Sequence, residues 1–244
     1  MRRCLDPKNR AQKSQITISG VKQYPAPVGG WNARDALADM NPQDAVILQN
    51  WFPLPSYCEV RGGHATSATG LTNKCKTLAV YNALTGSNKM FAATSSGVYD
   101  VSSAGAVGAA VAVRTNGKHQ WLMFGDGTNN WIMMFNGIDK PLYYDGTTWT
   151  AVDGASTPAL TGVTTTNIIA GCNHQNRMFY ILKNELGFWY LSAGTAGGAL
   201  TEFDLSGIAK KGGYLMAMGT WTVDAGNGPE DRAVFVTSEG EIII

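Results

Sequence analysis

The stretch NNWIMMFNGIDKPLYYDGTTWT, Asn129–Thr150, contains the unit that repeats along most of this chain. A polar turn at Asn129-Asn130 precedes the pair Met134-Phe135, and after another turn a second aromatic segment follows at Leu142–Asp145. Short apolar runs that alternate with turn residues in this order predict β-strands joined in hairpins. The Asp145-Gly146 pair favours a tight hairpin turn because both residues tolerate a positive φ.

The Met-Phe pair recurs at a constant spacing. It occurs at Met90-Phe91, Met134-Phe135 and Met178-Phe179, so consecutive copies are 44 residues apart. The second aromatic segments are Val98–Val101, Leu142–Asp145 and Phe188–Leu191, and a more distant fourth copy is Val234–Val236 followed by Glu241–Ile244. This period is the length of one four-stranded β-propeller blade. The sequence therefore predicts an all-β fold of propeller-like blades of antiparallel strands, and the alternative is an irregular β-sandwich with similar hairpins.

The repeat also bears on how many blades there are. About four blade-like units fit between His64 and Ile244, whereas propellers usually have four to eight. The last residues, Glu241–Ile244, resemble a strand inside a blade. We therefore expect the propeller-like domain, residues 64–244, to continue beyond the given C-terminus.

The composition argues against several classes of function. Of 244 residues, 44% are hydrophobic, 15% are charged and 29 are glycine, which is typical of a β-rich domain with many turns. The formal net charge is +1, so the charge of the whole molecule provides no attraction to nucleic acid or to an anionic membrane. No apolar run is long enough to cross a bilayer, and we predict no membrane span.

Residues for catalysis or metal binding form no recognisable pattern. The cysteines lack CxxC spacing and are predicted to be free thiols: Cys4, Cys58, Cys75 and Cys172. The three histidines, predicted to lie in surface loops, are His64, His119 and His174, and no HExxH or GxSxG motif accompanies them. Three Asp-Gly pairs are predicted to form hairpin turns: Asp126-Gly127, Asp145-Gly146 and Asp153-Gly154. We predict no catalytic residue, no metal site, no cofactor and no enzymatic activity.

Two segments precede the repeats. Residues 1–28 are basic and polar and are predicted to form an extended N-terminal arm, which either orders against an acidic partner, a nucleic-acid backbone or a neighbouring subunit, or is a flexible tail. Residues 29–63 are predicted to form a docking module. In it, Gly29 and Gly30 permit a close backbone approach, and Trp31 stands among polar residues.

The docking module carries local signals for a helix and a strand. Asn41-Pro42 is typical of a helix start, so a short helix is predicted over residues 42–50. Pro53 and Pro55 end it, because proline cannot continue a helix. Tyr57–Arg61 is predicted to be a strand that ends at Gly62-Gly63.

The docking module also carries a resemblance to a known family. The residues concerned are Gly29–Asp35, Leu37, Met40, Asp44-Ala45, Leu48, Asn50–Pro53 and Arg61–His64, with a weaker match at Val234–Glu241. They resemble an N-terminal signature of bacteriophage tail and virion structural proteins, most closely the tail nozzle, or hub, proteins of short-tailed phages.

The resemblance implies a non-enzymatic component of the virion tail that assembles in the host cytoplasm. It implies a homo-oligomeric ring, expected to be a hexamer, which contacts the portal, the adaptor and other tail proteins and through which DNA passes non-specifically during genome ejection. A near-neutral charge suits a conduit, since many phosphate contacts would retard the DNA.

In that setting we expect a subunit or adaptor interface at Trp31, Asn32, Arg34, Asp35, Trp51, Phe52 and Arg61. The alternative is that Arg34 and Asp35 only tie down a local loop while both tryptophans cover one end of the propeller.

Two other functions stay open. One is a receptor- or glycan-binding virion propeller protein with aromatic side chains on its loop tips. The other is a propeller-fold glycoside hydrolase, which would need two positioned carboxylates that the sequence does not single out.

Overall fold

Short strands rich in aromatic and β-branched residues form nearly all the regular structure of residues 24–224 and 229–244, the part of the chain that the computed structural model describes. The chain divides into two units, Met1–Ala65 and Thr66–Ile244, close to the predicted boundary after Gly63. Most of the predicted N-terminal arm, residues 1–23, lies outside the described residues. Each unit is described below by itself.

The described part of the first unit, residues 24–65, contains four strands: β1 (Gly30–Trp31), β2 (Asp44–Ala45), β3 (Trp51–Pro53) and β4 (Cys58–Val60). The second begins with β5 (Ala68–Thr69), β6 (Thr77–Tyr81), β7 (Lys89–Ala93), β8 (Gly97–Asp100), β9 (Gly105–Ala106), β10 (Ala112–Val113), β11 (Gln120–Gly125), β12 (Asn130–Phe135), β13 (Leu142–Tyr144) and β14 (Trp149–Ala151). It continues with β15 (Leu160–Thr161), a single 3₁₀ turn (Thr165–Asn167), β16 (Ile168–His174), β17 (Arg177–Leu182), β18 (Phe188–Tyr190), β19 (Gly198–Ala199), β20 (Thr201–Phe203), β21 (Leu215–Asp224), β22 (Pro229–Thr237) and β23 (Ile242–Ile243).

The predicted helix over residues 42–50 is wrong, because this segment forms a turn and then the strand β2. Asn41 starts a turn, not a helix: its side chain accepts a hydrogen bond from the backbone of Gln43 at 2.9 Å. The carbonyls of Gln43 and Ala45 then accept hydrogen bonds from Gly29 and Asn32, both at 2.9 Å. These pairings occupy backbone groups that a helix would need, and an isolated helix this short is marginal in water.

The strand predicted at Tyr57–Arg61 is confirmed, with bounds Cys58–Val60. It pairs with β3 in an antiparallel hairpin in which Trp51 faces Val60 and Phe52 faces Glu59. Pro53 and Pro55 lie at and beyond the end of β3, where the chain turns back.

Four antiparallel sheets follow one another along the second unit. Sheet 1 is β6, β7, β8 and β10; sheet 2 is β11 to β14; sheet 3 is β16, β17, β18 and β20; and sheet 4 is β21 to β23. Each sheet is a meander in which consecutive strands pair, apart from two insertions. The insertions carry β9 and β19, which pair in parallel with β5 and β15, so sheets 1 and 3 have the same accessory strand pair. The predicted all-β fold is thus confirmed.

The sheets pack face to face in a row, because most strands in the middle of the row are apolar on both sides. One buried cluster joins sheets 1 and 2 and includes Phe91, Met134 and Tyr144. A second joins sheets 2 and 3 and includes Phe135, Met178 and Tyr180. A third joins sheets 3 and 4 through stacked rings of Phe188 and Phe235, whose centroids are 4.6 Å apart.

The repeating Met-Phe pair explains this packing. All three pairs lie on the second strand of their sheet, and neighbouring residues of a strand point to opposite faces. Met134 and Met178 pack against the preceding sheet, while Phe91 and Phe135 pack against the following one. Met90 belongs to sheet 1, the first of the four sheets of the second unit, and its side chain is 40% exposed.

Sheet 4 follows the same rule with a shift of one residue. Phe235 packs back against sheet 3, so it occupies the position of the methionines and not that of the phenylalanines. Val236, the next residue, pairs with Ile242 on the opposite face. That outer face also carries Trp221, and both Ile242 and Trp221 are exposed.

Two of the three predicted Asp-Gly hairpin turns are confirmed. Gly127 and Gly146 have φ of +85° and +99° between paired strands. The third prediction, Asp153-Gly154, is wrong: this pair lies after β14 in a loop, where the Asp153 carboxylate accepts hydrogen bonds from the backbone of Ala155 and Ser156.

The Asp126 carboxylate organises the turn between β11 and β12. One oxygen accepts hydrogen bonds from the backbone of Thr128 and Asn129, at 2.9 and 2.6 Å, and the other accepts one from the indole of the buried Trp131 at 2.7 Å. Partial burial alone would raise the pKa of Asp126, but these hydrogen bonds outweigh it and hold the pKa below its ordinary value.

We therefore expect Asp126→Ala to lower the free energy of unfolding at pH 7 by about 1–3 kcal/mol, because the indole N–H of Trp131 loses its acceptor. A carboxyl whose pKa is lowered by folding stabilises the protein above its unfolded pKa, about 3.9, and loses that effect as the pH falls through its folded pKa. Denaturant titrations of both proteins should therefore show a difference that shrinks as the pH falls below the unfolded pKa of about 3.9. A difference that stays constant with pH would contradict this role of the carboxylate.

Candidate functional site

The first unit exposes most of its large apolar side chains. Of residues 24–65, only Gly30 is buried. The exposed large apolar side chains in this range are Tyr24, Trp31, Leu37, Val46, Ile47, Trp51, Phe52, Tyr57 and Val60. A segment of this length without a core gains little stability from hydrophobic burial, and an exposed apolar surface of this extent is typical of an interaction site.

Trp31 lies at the edge of this surface and is held by the backbone around it. The parallel pairing of β1 with β2 places its indole N–H 3.1 Å from the carbonyl of Val46, to which it donates. The side chain is nevertheless 69% exposed. Gly30, at φ +87°, precedes it, and Gly29 packs so closely on Asp44 that a Cβ would collide with that carboxylate.

Asn32, Arg34 and Asp35 form one polar loop beside Trp31. The side-chain oxygen Oδ1 of Asn32 accepts hydrogen bonds from the backbone N–H groups of Arg34 and Asp35, at 3.0 and 3.1 Å. Its amide donates to Asp35 at 2.9 Å and to Asp44 at 2.8 Å. The loop is thus built around an asparagine turn, which explains why the sequence needs Asn at this position.

Arg34 and Asp35 form an exposed ion pair within this loop. The guanidinium Nε donates to the Asp35 carboxylate at 2.8 Å. The hydrogen bond from Arg34, with a smaller contribution from Asn32, lowers the pKa of Asp35, and the same bond raises the pKa of Arg34. The pair agrees with the alternative in which Arg34 and Asp35 tie down a local loop. It still leaves much of the guanidinium accessible to a partner, since 88% of the Arg34 side chain is exposed.

Trp51 and Phe52 lie on the neighbouring hairpin. They are successive residues of β3 and so point to opposite sides, and both are exposed. Gly30 lies close to Pro53 at the end of the same strand, which links the hairpin to the Trp31 loop. Arg61 follows β4, where its N–H donates to the Asn50 carbonyl at 2.7 Å, and it lines an open concavity with His64.

Of the predicted interface residues, the structure brings Trp31, Asn32, Arg34 and Asp35 into one loop. Trp51 and Phe52 are exposed on opposite sides of the neighbouring hairpin, and Arg61 lies at the far end of that hairpin. Sequence reasoning missed Asp44, which anchors Asn32, and the exposed Val46 and Ile47. The helix prediction hid them, because it placed all three residues within a helix over residues 42–50.

Candidate metal ligands are dispersed over the described part of the chain. No group of three or more His, Cys, Asp or Glu side chains within residues 24–224 and 229–244 could hold a metal ion. Cys58, Cys75 and Cys172 are free thiols, as predicted, and Cys4 lies outside the described residues. Over the same ranges, no helix has the length and apolar character that a membrane crossing requires.

Two of the three histidines that were predicted to lie in surface loops are not exposed. His174 is buried at the end of β16, with its Nδ1 3.1 Å from the Thr220 hydroxyl of β21. His119 is partly buried beside Asn136, and burial lowers its pKa. Only His64 is exposed as predicted.

Comparison with protein-family models, with curated proteins and with solved structures finds no match to this chain.

Proposed function

We propose that this chain is a structural component of a bacteriophage tail and forms part of the wall of a nozzle, or hub, ring through which the genome passes. The observation that carries the proposal is the first unit: residues 24–65 bury only Gly30 and expose nine large apolar side chains. Such a module is suited to docking on a neighbouring subunit or on an adaptor. The sequence resemblance to phage tail proteins lies in this same module.

The row of sheets supports a ring of subunits. Its first sheet exposes Leu78, Val80 and Met90, and its last exposes Trp221 and Ile242 on the outer face. Within the row, faces of the same kind are buried against the next sheet. We propose that the four sheets are propeller-like blades and that their end faces meet further blades, in the same subunit or in its neighbours. Contacts between unlike faces close into a ring when the rotation between subunits closes.

The near-neutral charge supports a conduit. With a formal net charge of +1, the chain as a whole gains few of the salt-sensitive phosphate contacts that would hold DNA back. The proposed partners are further copies of this chain in a ring, expected to be six, with the portal, the adaptor and other tail proteins.

The experiment that tests the proposal is electron microscopy of particles assembled with an epitope-tagged chain. We expect the tag to appear below the portal on a ring with cyclic symmetry, and we expect the purified chain to form rings or to bind purified adaptor. The proposal would be overturned if purified particles lack the tagged chain and if, in addition, the purified chain stays monomeric and does not bind the adaptor.

A further inference from the structure

One end of the joint between sheets 1 and 2 contains a polar cavity of about 380 Å³. Three turns enclose it: residues 82–88 between β6 and β7, residues 126–129 between β11 and β12, and residues 145–148 between β13 and β14. Its volume lies in the range of sites for small molecules, about 300–1,000 Å³.

More than half of the residues that line the cavity carry a hydroxyl or a side-chain amide. They include Tyr81, Ser87, Asn129 and Thr147, whose side chains can both donate and accept hydrogen bonds. Such a mixture, supplied from three directions, matches a ligand that carries several hydroxyl groups.

Two charged residues also line the cavity, and their charges oppose each other. The Lys89 ammonium lies 3.0 Å from the Asp100 carboxylate and is therefore neutralised by its own partner. Asp145 contributes a carboxylate, which disfavours an anion. This balance of charge disfavours an anionic ligand such as a phosphate or a sugar acid.

Tyr81 supplies the aromatic component. It is 5% exposed, and its ring contacts Tyr144 edge to face with centroids 5.1 Å apart, so its position is fixed by the core between the two sheets. Within the described residues, the Tyr81 hydroxyl forms no hydrogen bond. It lies against Gly146, where a Cβ would approach it to 2.5 Å. Burial, with smaller effects of Tyr144 and Asp145, raises the pKa of Tyr81, so the hydroxyl stays protonated and can donate.

The turns around the cavity are fixed before any ligand arrives. Asp145 accepts hydrogen bonds from the backbone of Thr147 and Thr148, both at 2.7 Å, and Asn130 donates to the carbonyl of Asn82 at 2.6 Å across the two sheets. Groups held in place in this way lose little freedom on binding, which favours affinity.

We propose that this cavity binds a neutral sugar residue, either free or as a unit of a glycan. This inference goes beyond the proposed structural role and does not depend on it, because it concerns the isolated second unit of the fold.

The test is a titration of the purified chain with glucose, galactose and N-acetylglucosamine. Binding is monitored through the amide chemical shifts in NMR spectra. We expect shifts confined to the three turns, at concentrations up to about 50 mM, since a site for one sugar corresponds to a millimolar Kd. The probe that binds best is then compared with a neutral oligosaccharide built from the same sugar. Tighter binding of the oligosaccharide indicates that the cavity takes a unit of a glycan, whereas equal binding indicates a free sugar. Glucose 6-phosphate and N-acetylneuraminic acid serve as anionic comparators.

Two variants localise the site. Tyr81→Phe keeps the ring and its packing but removes the hydroxyl, and we expect about five-fold weaker binding, the effect of one hydrogen bond. The matched control is Tyr99→Phe. Tyr99 is 6% exposed and lies on the opposite face of the same sheet, so this variant should bind the sugar as the wild type does. Ser87→Trp places an indole at the mouth of the cavity from an exposed loop, so it should abolish binding without unfolding the protein.

Three outcomes would overturn the inference: no shift in the turns with any neutral sugar, tighter binding of the anionic comparators, or equal binding by Ser87→Trp and the wild type. Each leaves the ring proposal untouched, because ring formation is measured on particles and not by sugar binding.

Discussion

Replacement of Phe135 by alanine is expected to lower the free energy of unfolding by about 3–5 kcal/mol. Phe135 is fully buried between sheets 2 and 3, where its ring meets those of Tyr143 and Tyr180 edge to face, with centroids 6.3 and 5.8 Å away. Its removal leaves a cavity in a joint whose neighbours belong to two rigid sheets. Urea denaturation followed by tryptophan fluorescence measures the loss.

A second substitution makes this prediction specific to the joint. A Cβ on Gly171 of β16 would lie 2.7 Å from the Phe135 ring, so Gly171→Ala alone should cost about 1–3 kcal/mol through overpacking. In the Phe135→Ala background the same methyl group loses its two closest contacts and keeps only that with Leu122, 3.3 Å away. The double variant should therefore be more stable than the sum of the single effects predicts, by about 1 kcal/mol or more.

Phe203→Ala is the control for this cycle. Phe203 also belongs to an aromatic stack, with Phe188 5.0 Å away, but its side chain is 45% exposed. Its replacement should cost clearly less than that of Phe135. Strict additivity of Phe135→Ala and Gly171→Ala would mean that sheets 2 and 3 do not pack as described.

Replacement of both Trp51 and Phe52 by alanine is expected to reduce incorporation of the chain into tail particles by at least about thirty-fold, the effect of losing one interface hot spot of 2 kcal/mol. This prediction rests on the proposed docking role. Both side chains are exposed in the isolated chain, so the thermal unfolding midpoint should change little. The readout is the amount of chain in purified particles relative to the portal.

Ile138→Ala is the matched control for the docking surface. Ile138 is an exposed apolar residue in the turn between β12 and β13, outside the first unit, and its replacement should leave incorporation unchanged. Normal incorporation of the Trp51/Phe52 double variant would exclude this hairpin as the docking surface.

The sequence predicts the second unit well because local and tertiary signals agree there. Each Met-Phe pair lies in a run that is apolar on both faces, as a strand between two sheets requires, and polar turns bound it. The fixed spacing therefore marks the second strand of sheets 1 to 3. The fourth copy, Val234–Val236, also lies on the second strand of its sheet, but Phe235 faces back toward sheet 3 as the methionines do.

The first unit is predicted less well because its local signals conflict with its pairing. Asn41 and Pro42 favour a helix start, but nothing in residues 42–50 shows that Gly29 and Asn32 will take up the carbonyls of Gln43 and Ala45. The polar loop at Asn32–Asp35 was foreseeable, since Asn and Asp at this spacing form turns. The exposure of Trp31 and Phe52 agrees with the interface expected at these residues, although the local pattern does not state whether the segment has a core of its own.

The alternation of methionine and phenylalanine along one strand has a consequence for folding. A strand such as β12 belongs to two buried clusters at once, through Met134 on one side and Phe135 on the other. Among the four sheets of the described residues, sheets 2 and 3 therefore each pack against two others and cannot open without disturbing both, whereas sheets 1 and 4 each pack against one. In such a linear array, stability is a sum of nearest-neighbour couplings. Amide hydrogen exchange should accordingly be slowest in β12 and β17 and should quicken toward either end, so that the array unravels from its ends inward.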